Sequence, residues 1–220
     1  ALWRTDGTAA GIQLVKVFDD LSDGSTQGGE PSEFTAIGNL LYFALDRNGP
    51  PPEVWRSDGT PAGTLKLATI SPPDTLTPYE FTDVNGTAYF VGAAENGERG
   101  IWRSDGTPQG IRQILHFPYQ GGKQQLTAVD TSLFFRLRKE SAGTELWMLN
   151  EQNGCLRMVA DINAGANSSE PLDLTLVGQN LFFVAEDGKT GGELYVLEHA
   201  SQLDCNFPYS QYLPFTTRSQ

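Results

Sequence analysis

An all-β fold assembled from repeated four-stranded antiparallel units is predicted for this chain of 220 residues, and three observations predict it. A tryptophan or tyrosine recurs at Trp3, Trp55, Trp102, Trp147 and Tyr195, at spacings of 52, 47, 45 and 48 residues. An aromatic pair keeps step with it at Tyr42-Phe43, Tyr89-Phe90, Phe134-Phe135 and Phe182-Phe183. The stretches between these anchors are punctuated by Gly, Pro, Asn and Asp, which turn a chain rather than continue a helix. Self-similarity at this period is the signature of a repeat architecture.

Within a unit, four runs rich in aromatic and β-branched residues read as strands: PSEFTAIGN (31–39), LLYFALD (40–46), PEVWRSDG (52–59) and GTLKLATI (63–70). A third anchor marks the first of them: Phe34-Thr35, Phe81-Thr82, Leu126-Thr127 and Leu174-Thr175, with Phe215-Thr216 beginning it once more. In SLFFRLRK (132–139), Leu133, Phe135 and Leu137 alternate with Arg136 and Arg138, the two-residue period of a strand. Longer polar links such as FDDLSDGSTQGGEPS and DINAGANSSEP then carry the chain from the last strand of one unit to the first of the next.

The units run 1–31 (partial), 32–78, 79–123, 124–171 and 172–211, with 212–220 starting or closing a further one, all within a single domain 1–220. Four strands per unit of about 45 residues fit a β-propeller blade better than a sandwich or barrel. Both a closed ring of five blades and a segment of a larger propeller fit the phase. The chain opens on Ala1 in mid-repeat, which points to a segment of a longer polypeptide.

EVWRSDGTPAGT (53–64), GIWRSDGTPQGI (100–111) and ALWRTDGTAAGI (1–12) resemble the ELWxxDGT repeat of secreted and surface proteins. ELWMLNEQNG (145–154) and VADINAGANSSEP (159–171) extend the resemblance, while ELYVLEHASQLDC (193–205) departs from it by losing both the tryptophan and the DGT turn. The resemblance implies a propeller fold and an exported, cell-surface or extracellular setting. It brings no catalytic residues with it.

The repeated aspartates are predicted to be turn formers. Asp6, Asp58 and Asp105 accept backbone amides while Gly7, Gly59 and Gly106 take a positive φ; Asn153-Gly154 keeps the same chemistry without the charge. A calcium site needs six to eight oxygens, whereas each turn offers one carboxylate with an arginine two residues before it, so no metal is expected. Trp3, Trp55, Trp102, Trp147 and Tyr195 sit inside strands and are predicted to pack unit against unit. Tyr79, Tyr119 and Tyr209, in the links, are candidates for a ligand or partner rim.

Cys155 and Cys205 are a candidate disulfide in an exported chain, with two idle thiols as the alternative, because the Cα separation that decides is not written in the sequence. A net charge of −12 argues against nucleic acid. No run approaches the roughly 20 apolar residues of a spanning helix, so direct membrane insertion is not expected.

His116 and His199 join no nucleophile constellation, and no phosphate loop or HExxH motif occurs, so neither a catalytic site nor a cofactor is expected. The expected function is a non-catalytic, exported scaffold that binds a protein partner, within a larger complex. The alternatives are a lectin-like propeller that binds a glycan, and a glycosidase using rim acids such as Asp19, Asp20 and Asp23.

Overall fold

The computed structural model describes residues 1–18, 29–47, 50–70, 76–93, 98–118 and 122–205, which form strands joined by turns, with two 3₁₀ turns at Ala9–Gly11 and Ala200–Gln202. All described pairings are antiparallel and join neighbours in sequence. The chain divides into two compact units, Ala1–Tyr119 and Gln120–Gln220.

The first unit opens with a ribbon of β1 (Leu2–Arg4) and β2 (Gln13–Lys16). Two four-stranded sheets follow: β3 (Glu30–Ile37), β4 (Leu40–Asp46), β5 (Glu53–Ser57) and β6 (Leu65–Thr69), then β7 (Tyr79–Val84), β8 (Thr87–Ala93), β9 (Arg99–Ser104) and β10 (Arg112–Phe117). The second unit holds a four-stranded sheet of β11 (Thr127–Val129), β12 (Ser132–Lys139), β13 (Gly143–Asn150) and β14 (Cys155–Ala160). Its other sheet has three described strands, β15 (Leu172–Val177), β16 (Asn180–Glu186) and β17 (Gly192–Leu197).

Strand positions follow the sequence periods closely, but β5 stops at Ser57 and β6 starts at Leu65, inside the predicted bounds 52–59 and 63–70. The DGT turn takes the difference, since its own hydrogen bonds replace ladder bonds there. The β7–β8 hairpin turns on Asn85-Gly86 with φ of 51° and 81°, the left-handed pair that matches strand twist.

A second local device recurs within β3, β7 and β15 and just ahead of β11. Glu33, Glu80, Gln125 and Asp173 all take a left-handed backbone, with φ of 56°, 57°, 60° and 55°. Each precedes the Phe/Leu-Thr anchor, and the register of β3, β7 and β15 shifts at this point. The anchor threonine then donates to the carbonyl of the left-handed residue, at 3.1 Å for Thr82, 3.0 Å for Thr127 and 2.9 Å for Thr175, which explains the threonine of the anchor.

Sheets within each unit pack face on face, with β3 beside β7 and β11 beside β15. In the first unit, Ile37, Tyr42, Ala44 and Val54 of one sheet meet Phe81, Phe90 and Trp102 of the next. In the second, Val129, Phe134 and Leu146 meet Leu174, Phe183 and Tyr195. The matching positions show that, within each unit, one face of the first four-stranded sheet is built to receive the aromatic face of the sheet that follows it. Burying a phenylalanine such as Phe90 or Phe183 contributes about 1.5–3 kcal/mol.

Candidate functional site

The WR[ST]DGTxxG turn is a closed hydrogen-bonded unit. Thr60 donates twice to Asp58 Oδ1, from its amide at 2.8 Å and its hydroxyl at 2.7 Å. The Thr60 hydroxyl accepts from Gly63 N at 3.0 Å, and Ser57 Oγ accepts from Gly59 N at 3.0 Å. The same bonds recur around Asp6 and Asp105. The Thr8 amide holds the carboxyl of Asp6 below its usual range, and the Thr60 and Thr107 hydroxyls do the same for Asp58 and Asp105. A Cβ on Gly11, Gly63 or Gly110 would land on the aspartate carboxylate, so this second glycine, five residues after each aspartate, is required by space rather than by φ. In the second unit, Asn153 Oδ1 accepts from Cys155 N at 3.1 Å and Gly154 has φ of 68°.

Two residues ahead of the repeat tryptophan lies a buried carboxylate in both units. Glu53 accepts from Trp55 Nε1 at 2.8 Å and pairs with Arg47 at 3.4 Å and Lys66 at 3.1 Å. Glu145, with no exposed surface, turns to the link instead: it accepts from Ser169 Oγ at 2.5 Å, Ser169 N at 3.0 Å and Ile162 N at 3.1 Å. Burial pushes its carboxyl above the ordinary range, against the pull of those bonds. Trp147 Nε1 is correspondingly buried with no hydrogen-bond partner among the described residues.

The rest of the DINAGANSSEP link closes on itself and on β12 and β13. Asp161 caps Gly165 N, Asn163 donates to Ser168 O, Ser168 Oγ accepts from Thr144 N, and Glu170 pairs with Arg136. The Glu145–Ser169 hydrogen bond, across 24 residues, had no signal in the sequence. A parallel stitch joins first strands: Glu33 accepts from Glu80 N at 3.2 Å, and Gln125 from Asp173 N at 3.1 Å.

The predicted packing aromatics divide. Trp55 is 8% exposed under Phe18, whose ring lies edge-on at 5.2 Å. Trp102 and Tyr195 stack on Phe90 and Phe183 within their own sheets and join the cores between sheets. Lys139 lies over Trp147 at 5.7 Å. Trp3 differs: it is 58% exposed, since its ribbon has only β1 and β2 among the described residues and nothing among them lies over it as Phe18 lies over Trp55.

Tyr79 begins β7 and its hydroxyl accepts from Arg99 at 2.6 Å, with the guanidinium 5.6 Å from the ring, so it is tied to its own sheet. Tyr119 and Tyr209 lie outside the described residues, as do Asp19, Asp20 and Asp23. His116 lies in β10, and His199 precedes the second 3₁₀ turn with φ of 51°. No cluster of three metal-ligating side chains occurs among the described residues. Cys155 and Cys205 are joined by a disulfide, with Cα atoms 5.5 Å apart. It pins the segment after β17, where Ala200 and Leu203 are buried and Asp204 O accepts from Arg157 at 2.9 Å.

No protein-family model and no curated protein sequence matches the chain. Among solved structures it is similar to a mutant of puromycin hydrolase complexed with PGG, with a TM-score of 0.55 and 16% identity, over 80% of this chain and 27% of that one. TolB from Acinetobacter baumannii is similar at a TM-score of 0.46 and 15% identity, over 90% of this chain and 46% of that one. The chain therefore spans less than half the length of either. Both are propeller-like, and at such identity the hydrolase likeness bears on fold alone.

Proposed function

We propose that the chain is an exported β-propeller, of the ELWxxDGT-repeat kind, that serves as a non-catalytic scaffold for protein interaction within a larger assembly. One observation carries the reading: the polar side chains that the repeat preserves are engaged in holding the fold. Asp6, Asp58 and Asp105 close turns, Glu53 and Glu145 anchor buried networks, and Glu33 and Gln125 stitch first strands.

The propeller reading rests on four-stranded antiparallel meanders in chain order, first strands side by side, and the likeness to puromycin hydrolase. The disulfide favours an oxidising, exported setting. A glycan array on the isolated chain, with mass measurement of natively purified material, tests the function. Expected is a stable assembly with other proteins and no saturable sugar signal; saturable sugar binding would replace the scaffold with the lectin.

A further inference from the structure

The last described sheet, β15–β17, leaves uncovered the face that its counterparts bury. Val177 is 58% exposed, whereas Ile37, Val84 and Val129 at the same place in the repeat are 2%, 5% and 1% exposed. Leu194 is 62% exposed, whereas Val54, Ile101 and Leu146 are all at 0%. In the first unit the corresponding face is covered by the aromatic side of the following sheet, Phe81, Phe90 and Trp102. Repeat equivalence thus states the shape and chemistry of the missing cover: a ladder of this same repeat, tryptophan side first.

The chain carries such a side uncovered at its other end. Trp3 is 58% and its cross-strand partner Leu14 is 44% exposed, where the residues opposite Trp55 and Trp102 are the polar Lys66 and Gln113. Charge agrees. Residues 172–198 hold five carboxylates and one lysine, while residues 1–18 hold Arg4 and Lys16 against Asp6 alone.

We propose that the outer face of β15–β17 is a docking surface, and that its occupant is a second copy of this chain seating the Trp3–Leu14 face of its β1–β2 ribbon against Val177 and Leu194. The contact is heterologous, head to tail, so each copy keeps one face open and association extends beyond a dimer. It rests on the scaffold reading but reaches further, since a scaffold for other proteins has no need to bind itself.

Sedimentation velocity on the chain across a concentration series tests it, beside Trp3→Glu and Leu194→Glu variants whose thermal melts report folding. Both residues are more than half exposed, so the variants should fold. The wild type should pass from 24.0 kDa to dimers and larger species. Each variant alone should weaken association by at least about 30-fold, the loss of one interface hot spot.

Mixing the two variants should restore a dimer, which stops there, because one intact head and one intact tail remain. A monomer at every concentration, association untouched by either substitution, or failure of the mixture to pair would each overturn the proposal. None of these results bears on sugar binding, which decides the scaffold reading separately.

Discussion

Glu53 and Glu145 occupy one position of the repeat, yet one faces cations and the other faces hydroxyl and amide donors. In the first unit Glu53 gathers Arg47, Lys66 and the indole of Trp55 around β5. In the second, Glu145 abandons its tryptophan and holds the link that leads into β15. The difference teaches that the repeat specifies a buried acceptor near the tryptophan and leaves its donors to whichever segment lies close. Where the donors are neutral, at Glu145, burial raises the proton affinity of the carboxyl.

The largest expected effect breaks the comparison on the side of the second unit. Replacing Cys155 and Cys205 together with alanine opens a crosslink between residues 50 apart and should cost about 4 kcal/mol in denaturant melts. Glu145→Ala comes next, at about 3 kcal/mol, because Ser169 and Ile162 lose their buried acceptor. Glu145→Gln should recover part of this, having one oxygen to offer instead of two.

A smaller effect sharpens the contrast at the indoles. Trp55→Phe removes a hydrogen bond to Glu53, whereas Trp147→Phe removes a donor that lacks a partner, so the first should cost about 1 kcal/mol more than the second. Equal costs would show that Glu53 does not hold its tryptophan.

The smallest effect is one of sign with pH. Glu145 is raised in the folded chain, so its contribution to stability is present below the unfolded carboxyl value and lost as pH rises through the folded one. Asp58 is lowered by its threonine, so its contribution is present above the unfolded value and lost as pH falls through the folded one. Thermal melts from about pH 3 to about pH 6 should therefore show the cost of Glu145→Gln shrinking, and that of Asp58→Asn growing, as pH rises.

What was legible in advance was local. The WR[ST]DGTxxG turn is legible as a turn because Asp58, an acceptor for nearby amides, stands beside Gly59, which takes a positive φ; the double donation from Thr60 and the steric demand on Gly63 are not. The left-handed residue in or just ahead of each first strand also had a signal, the residue ahead of every Phe/Leu-Thr anchor, but Glu, Gln and Asp there read as ordinary strand polarity. Glu145 and Ser169, 24 residues apart, had none, since neither residue type nor period says which link folds back onto which strand.

By itself, then, the sequence determined the all-β class, the strand order within each unit and the chemistry of the turns, because these depend on side-chain alternation and on bonds between residues a few places apart. Only the tertiary structure decided which tryptophans are covered, which donors meet Glu53 and Glu145, and that Cys155 and Cys205 are close enough to join. Those outcomes depend on which sheet lies against which, and identical repeat letters such as Trp3 and Trp55 acquire different burial from different neighbours.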